Sequence, residues 1–272
     1  MKRLLVLVIV ACLLLCGCSQ TVPTPTEPSQ RATTPTSTEP ASEKVTDPTQ
    51  TQSEKVTVYL LEKSVLYDSG ATVYHYDEDY NLDSYIVYTI ENDIMYTAHF
   101  EEKDANGMAC RYWAEWPGYD GADAQTLTYS DDGKIQEIRY AGDTFCGTRY
   151  VYDLDGNLIE KQDFYEDSLQ AAVYYEYDGD VLTLVYGEDM ASGTQFECIL
   201  EDGRIVEKIC RDSDSSYSYF YEYDEHGNLI QESFVLDGEV IPSEQYSYQP
   251  VEVDADRAPY LLEQQKYLLA IA

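Results

Sequence analysis

The stretch Tyr150-Val151-Tyr152-Asp153-Leu154-Asp155-Gly156-Asn157-Leu158 decides the fold. Alternation puts Tyr150 and Tyr152 on one face of a strand and Val151 on the other. Asp-Gly between alternating apolar runs marks a hairpin, because primed two-residue turns require positive φ. The nonapeptide recurs without gaps as Tyr74–Leu82 and as Tyr221–Leu229. Outward from it, Gly133, Gly156, Gly179, Gly203 and Gly227 stand 23, 23, 24 and 24 residues apart. Asp or His precedes each, and an aliphatic follows two residues later: Ile135, Leu158, Val181, Ile205 and Leu229. Gly107, after Asn106, marks one more turn. Such a period is one hairpin, two strands plus two tight connections, and a fixed period means a repeat architecture. The spacing therefore predicts an all-β domain: an antiparallel meander of about seven β-hairpin repeats from Val56 to Tyr248. No Pro interrupts the tract between Pro117 and Pro242, as continuous sheet requires.

The pattern Y-x-Y-D-x-x-G-N-L at this period resembles the YD repeats of bacterial Rhs-type proteins and the related MORN-variant repeats. The resemblance covers residues 74–250 loosely and the three nine-residue cores well. It departs at Tyr80, which stands where the turn glycine is expected, and at Ile199-Leu200, which replaces the tyrosines before Gly203. What it implies is an architecture and not an activity.

The N-terminal segments carry an address. Met1-Lys2-Arg3 is a basic start, and Leu4–Leu15 is an apolar run of twelve residues. That is too short for roughly 30 Å of hydrocarbon, which needs about twenty residues, so it reads as a secretory signal. Leu15-Cys16-Gly17-Cys18 resembles a bacterial lipobox. The resemblance implies cleavage before Cys18, a diacylglycerol thioether on its sulfur, and retention at the outer face of a membrane. An ordinary cleaved signal followed by an unmodified Cys18 is the alternative. Residues 19–53 then hold ten Thr, six Pro and five Ser and no aromatic residue. So little apolar surface cannot offset the entropy of ordering, and the segment reads as an extended linker. The organisation expected is a signal over 1–17, a lipidated Cys and linker over 18–53, the repeat domain over 54–250 and a cap segment over 251–272. In that last segment Pro259 followed by Tyr260-Leu261-Leu262-Glu263-Gln264-Gln265 fits a short amphipathic helix with Pro in its first turn, or else a final strand.

Composition excludes several functions. With 17 Lys+Arg against 51 Asp+Glu the formal net charge is −34, which repels phosphate backbones, so nucleic acid is not an expected partner. Three His and no His/Cys cluster leave little for a zinc enzyme, and no cofactor is expected. Asp153-Leu154-Asp155-Gly156-Asn157 invites Ca²⁺, but Val151 and Gln162 fail an EF-hand pattern, and turn chemistry explains the same residues. With so many carboxylates, a pair at hydrolase spacing is expected by chance. No Ser/His/Asp constellation stands out around His75, His99 or His226. Four cysteines follow Cys18. Cys198 and Cys210 flank Asp202-Gly203 as a possible disulfide, although a two-residue turn there would pair Cys198 with Glu207, three residues short of Cys210.

The aromatic excess is the functional clue: 27 Tyr, and both Trp in Tyr112-Trp113-Ala114-Glu115-Trp116. In a strand, Trp113 and Trp116 point to opposite faces, so one joins the core and the other is available to a ligand. Tyr112, Trp113 and Trp116 are the candidate stacking residues for a sugar or an extended peptide. The expected protein is a surface lipoprotein, joined to the membrane through Cys18. Its domain is a non-catalytic binding or scaffolding module for a cell-wall or other glycan or a protein partner. A carboxylate-dependent hydrolase or hydrolase accessory is the alternative, and a passive spacer the third.

Overall fold

Alternation of Tyr with Val, Glu or His produces sixteen strands among the described residues, each hydrogen-bonded to the next. The computed structural model describes residues 54–118, 123–213, 215–236, 238–266 and 268–269, and Glu54–Ala272 forms its own unit. The signal segment, Cys18 and the linker lie outside the described residues. The strands are β1 (Lys55–Leu66), β2 (Gly70–Tyr76), β3 (Leu82–Tyr88), β4 (Ile94–Lys103), β5 (Ala109–Glu115), β6 (Asp123–Tyr129), β7 (Ile135–Tyr140) and β8 (Gly147–Tyr152). They continue as β9 (Leu158–Tyr165), β10 (Ser168–Asp178), β11 (Val181–Asp189), β12 (Thr194–Glu201), β13 (Arg204–Arg211), β14 (Ser216–Tyr223), β15 (Leu229–Leu236) and β16 (Glu239–Asp254). One helix, α1 (Ala258–Lys266), follows.

The meander does not stay open. β1 pairs antiparallel with β16 from Lys55↔Asp254 to Leu66↔Glu244, and the ring closes into a barrel of eight hairpins, one more than the repeat count predicts. Closure leaves no free edge between first and last repeat, which solves the edge problem of a long sheet. Burial follows the period of two. Tyr221 is 6% exposed, while Glu222 and His75 face solvent and Val151 is 37% exposed. The outer face also carries ion pairs between neighbouring strands, Arg149 with Glu137 and Arg211 with Glu197. No helix among the described residues is long and apolar enough to cross a membrane.

The turns correct one expectation. The repeated Asp-x-x-Gly-Asn turn is a three-residue loop and not a primed two-residue one. Gly156 N–H donates to Asp153 O (3.2 Å), Asp153 N–H donates to Asn157 O (2.9 Å), and Gly156 sits at φ +84°. That is a type I turn followed by a left-handed residue, with the register shift falling between Val151 and Tyr152. The Asp carboxylate sets this geometry. Asp153 Oδ1 accepts from Asp155 N–H (3.0 Å) and Asn157 N–H (2.8 Å), and Oδ2 accepts from the Asn157 amide (3.1 Å). Asp77 with Asn81 and Asp224 with Asn228 repeat the clasp. These carboxylates accept from N–H donors, as the turn reading of the Asp-rich loops expects. Asp202-Gly203 takes the expected primed form, with φ of 50° and 75° between the partners Glu201 and Arg204, and Gly179, at φ +63°, opens another two-residue loop between Asp178 and Val181.

Helix α1 plugs the barrel end where these turns gather. Glu263, Gln264 and Gln265 are 5%, 2% and 6% exposed, though consecutive helix residues point about 100° apart. Glu263 Oε1 accepts from Ile135 N–H (3.3 Å), Gln264 Oε1 from Leu82 N–H (2.7 Å) and Gln265 Oε1 from Leu61 N–H (2.7 Å). Strands β7, β3 and β1 therefore surround the helix over most of its circumference. A round barrel of sixteen strands encloses more section than wall side chains fill. Tyrosines and this helix occupy it. The cap expected for the last hairpin is thus a plug held largely by the first half of the repeats. The boundary also moves, because β16 runs on to Asp254.

Candidate functional site

Strand β5 and the residue just past its end sort the three predicted stacking residues by face. Tyr112 points inward: its hydroxyl lies 3.0 Å from that of Tyr85, and its ring packs 5.3 Å from Phe100. Trp116 packs 4.5 Å from Tyr96, whose alternation with buried Ala98 and Phe100 places it on the inner row. Neither is available to an outside ligand. Trp113 is on the outer row and half-buried.

Its surroundings are built by register. His99 of β4 is the Cα partner of Trp113, and the two rings stack at 4.2 Å with an interplanar angle of 20°. On the opposite flank the register partner is Ala124 of β6, whose side chain ends at Cβ. Along β5, Arg111 and Glu115 share the face of Trp113, two residues to either side. Glu115 Oε2 lies 3.6 Å from His99 Nε2, too far for a hydrogen bond, and that nitrogen is out of solvent with no partner among the described residues. Arg111 pairs with Glu102 (3.4 Å) and Glu101 (3.8 Å). The next outer row places Thr126 beside Arg111 and Arg139 beside Thr126.

Flat aromatic surface edged by His, Arg, Glu and Thr can stack on a sugar ring and hydrogen-bond its hydroxyls. Of this group the sequence singles out Trp113 alone. Arg111 and Glu115 flank it on the same strand, whereas His99 and Arg139 arrive through strand pairing from 14 and 26 residues away, which no local pattern shows.

The inner face carries charge of its own. Lys161 lies opposite Tyr150, and Lys208 Nζ stands 4.1 Å over the Phe196 ring. Burial pushes the Lys161 ammonium below its ordinary range, Asp163 works against that shift, and Lys208 adds to it. Glu232 and Glu244 are direct partners between β15 and β16. Glu232 accepts from Ser243 Oγ (2.7 Å) and Glu244 from Tyr246 Oη (2.9 Å). Burial raises the Glu232 carboxyl, and the Glu244 charge adds to the shift.

Cys198 and Cys210 are both buried and free, and Cys110 and Cys146 are half-buried and free. A bulge between Ile199 and Leu200 moves the register one residue from that of a plain hairpin, so Cys198 faces Lys208 and Cys210 faces Phe196. The two thiols share the inner face on diagonal positions, roughly 7 Å apart at Cα, beyond the reach of an unstrained disulfide.

No family model matches the chain, and no curated protein matches it. Among solved structures, a porin-like protein from Bacteroides uniformis is similar at 12% identity, over 73% of this chain and 97% of that one, with a TM-score of 0.44. The TcdB2-TccC3-Cdc42 structure is similar at 12% identity over 72% of this chain and 14% of that one, with a TM-score of 0.25. The Photorhabdus luminescens Tc holotoxin pore is similar at 10% identity over 69% and 15%, with a TM-score of 0.23. Likeness at these scores carries nothing about function.

Proposed function

We propose that the protein is a non-catalytic glycan-binding lipoprotein, anchored through Cys18 and extended on its Thr/Pro linker. The outer face around Trp113 stacks on a sugar ring. The observation that carries the reading is the asymmetry at Trp113: the His99 ring stacks on one flank, and the register partner on the other is the short side chain of Ala124. A ring slotted over Ala124 would meet the indole on its side and Thr126 and Arg111 at its edge. The test is a glycan-array screen of the full chain beside its Trp113→Ala variant. Retention of the same glycans by both would remove the site.

A second reading, a carboxylate-dependent hydrolase, rests on the facing pair Glu232 and Glu244, the first with its carboxyl raised. It predicts release of reducing ends from the glycans retained on the array, lost in Glu232→Gln. Binding without release supports the first reading.

A further inference from the structure

The outer rows beside Trp113 bear on which glycans fit, an inference that rests on the binding site proposed above. In a unit of 47 acidic and 13 basic residues, three arginines nevertheless stand on neighbouring outer rows of β5, β7 and β8: Arg111, Arg139 and Arg149. Two are matched by carboxylates. Arg111 has Glu101 and Glu102, and Arg149 Nε lies 3.2 Å from Glu137. Arg139 differs. Among the described residues it has no carboxylate within ion-pair reach, and its guanidinium lies 5.4 Å over the Phe145 ring. Register sets it two strands from Arg111, about 10 Å away, with exposed Thr126 between them. Thr126 is in turn the diagonal neighbour of Trp113, so a sugar ring over Ala124 carries its substituents toward Arg139.

We infer that the Trp113 site selects acidic sugars, glycans bearing a carboxylate or sulfate, through Arg139. A guanidinium without a carboxylate partner among the described residues presents a planar fork of N–H donors that matches such an oxyanion with two parallel hydrogen bonds. Cation–π attraction to Phe145, whose ring Arg149 shares at 4.1 Å, restrains the Arg139 side chain and limits the freedom it loses on binding. The negative charge of the rest of the domain is largely screened beyond about 8 Å at physiological salt, so an anion at the site responds chiefly to the charges beside it. At contact, Arg139 supplies the charge that carboxylates already match at Arg111 and Arg149. A neutral sugar would use the indole and leave Arg139 without a partner.

The probes are hexagalacturonate, the same oligosaccharide as its methyl ester, and a chondroitin sulfate hexasaccharide, titrated calorimetrically into the full chain. The expected result is at least tenfold tighter binding of the acid than of its ester, weakening as salt rises. Arg139→Gln should remove that preference while leaving the melting midpoint unchanged, and Arg211→Gln, on a distant outer row, should leave the preference intact. Trp113→Ala should abolish binding of acid and ester alike. Equal affinity for acid and ester, both lost in Trp113→Ala, overturns the acidic preference and leaves the stacking site standing. Acidic binding that survives Trp113→Ala overturns the site itself. Failure of all three probes to bind also counts against the inference.

Discussion

The hydroxyl of Tyr152 donates a 2.9 Å hydrogen bond to the carbonyl of Ile135, where the ladder between β7 and β8 has already stopped at Glu137↔Arg149. The arrangement recurs around the barrel. Tyr76 donates to Leu61, Tyr129 to Ala109, Tyr177 to Leu158, Tyr223 to Ile205 and Tyr248 to Leu229, at 2.8 to 3.1 Å. Each bond bridges a gap where adjacent hairpins splay toward the turn end, and each satisfies a carbonyl that backbone pairing leaves open. The second tyrosine of Y-x-Y-D is therefore a staple between repeats, and only a phenol can make it.

Tyr152→Phe keeps the ring and removes the bond, leaving the Ile135 carbonyl without a donor. It should cost about 1–2 kcal/mol in urea unfolding. Tyr150→Phe, whose hydroxyl has no hydrogen bond among the described residues, should cost clearly less. Equal losses would make the tyrosines simple filling.

Seating of the helix can be read from glycines. A Cβ on Gly133 would lie 2.4 Å from the Tyr260 ring at φ +82°, whereas one on Gly193, at φ +73°, meets nothing within 4 Å. Gly193→Ala should cost only the left-handed strain, about 1 kcal/mol, and Gly133→Ala considerably more. In a Tyr260→Ala background the difference should shrink, which a double-mutant cycle measures.

The fold should fail at both pH extremes, for opposite reasons. Hydrogen bonds from Asn157, Asp155 and Gly156 hold the Asp153 carboxyl below its ordinary range. At Asp77 and Asp224 burial works upward, but donors from Lys103 and Asn81, and from Asn228 and His226, outweigh it and the net shift is down. The unfolded chain then takes protons first, so this stability is present above about pH 4 and is lost as pH falls through the lowered values. Burial raises the inward phenols, Tyr74 to about 12 and Tyr85, Tyr175 and Tyr246 further, with neighbouring charges adding. Their contribution is full below about pH 10 and declines above it, as unfolded tyrosines ionise. Phenolate absorbance should rise together with loss of the β signal in circular dichroism. Inward tyrosines titrating near 10 in an intact fold would contradict their burial.

Membrane attachment has its own test. The native chain should partition into detergent and carry the added mass of a diacylglycerol adduct on Cys18, and Cys18→Ala should partition into water. A detergent-phase Cys18→Ala chain would point to another anchor.

Local signals gave the hairpins, the face of Trp113 opposite Trp116, and the terminal helix, because strand period, turn residues and helix periodicity act within a dozen residues. Closure was not legible. Whether β1 meets β16 depends on curvature accumulated over all the turns, and nothing in Lys55–Leu66 declares its partner. The three-residue loops were also hidden, since Asp-Gly fits either turn until the carboxylate is seen capping N–H groups. At the site, Trp113 could be found from the sequence. His99 and Arg139 could not, because register across neighbouring strands brings them beside it.

The most direct measurement is tryptophan fluorescence of the Trp116→Phe chain, in which Trp113 is the sole indole. Titration with the glycans retained on the array should shift or quench its emission along a saturable curve. The Trp113→Phe chain, reporting from Trp116 against Tyr96, should stay unchanged. Saturable change from Trp116 with none from Trp113 would contradict the site.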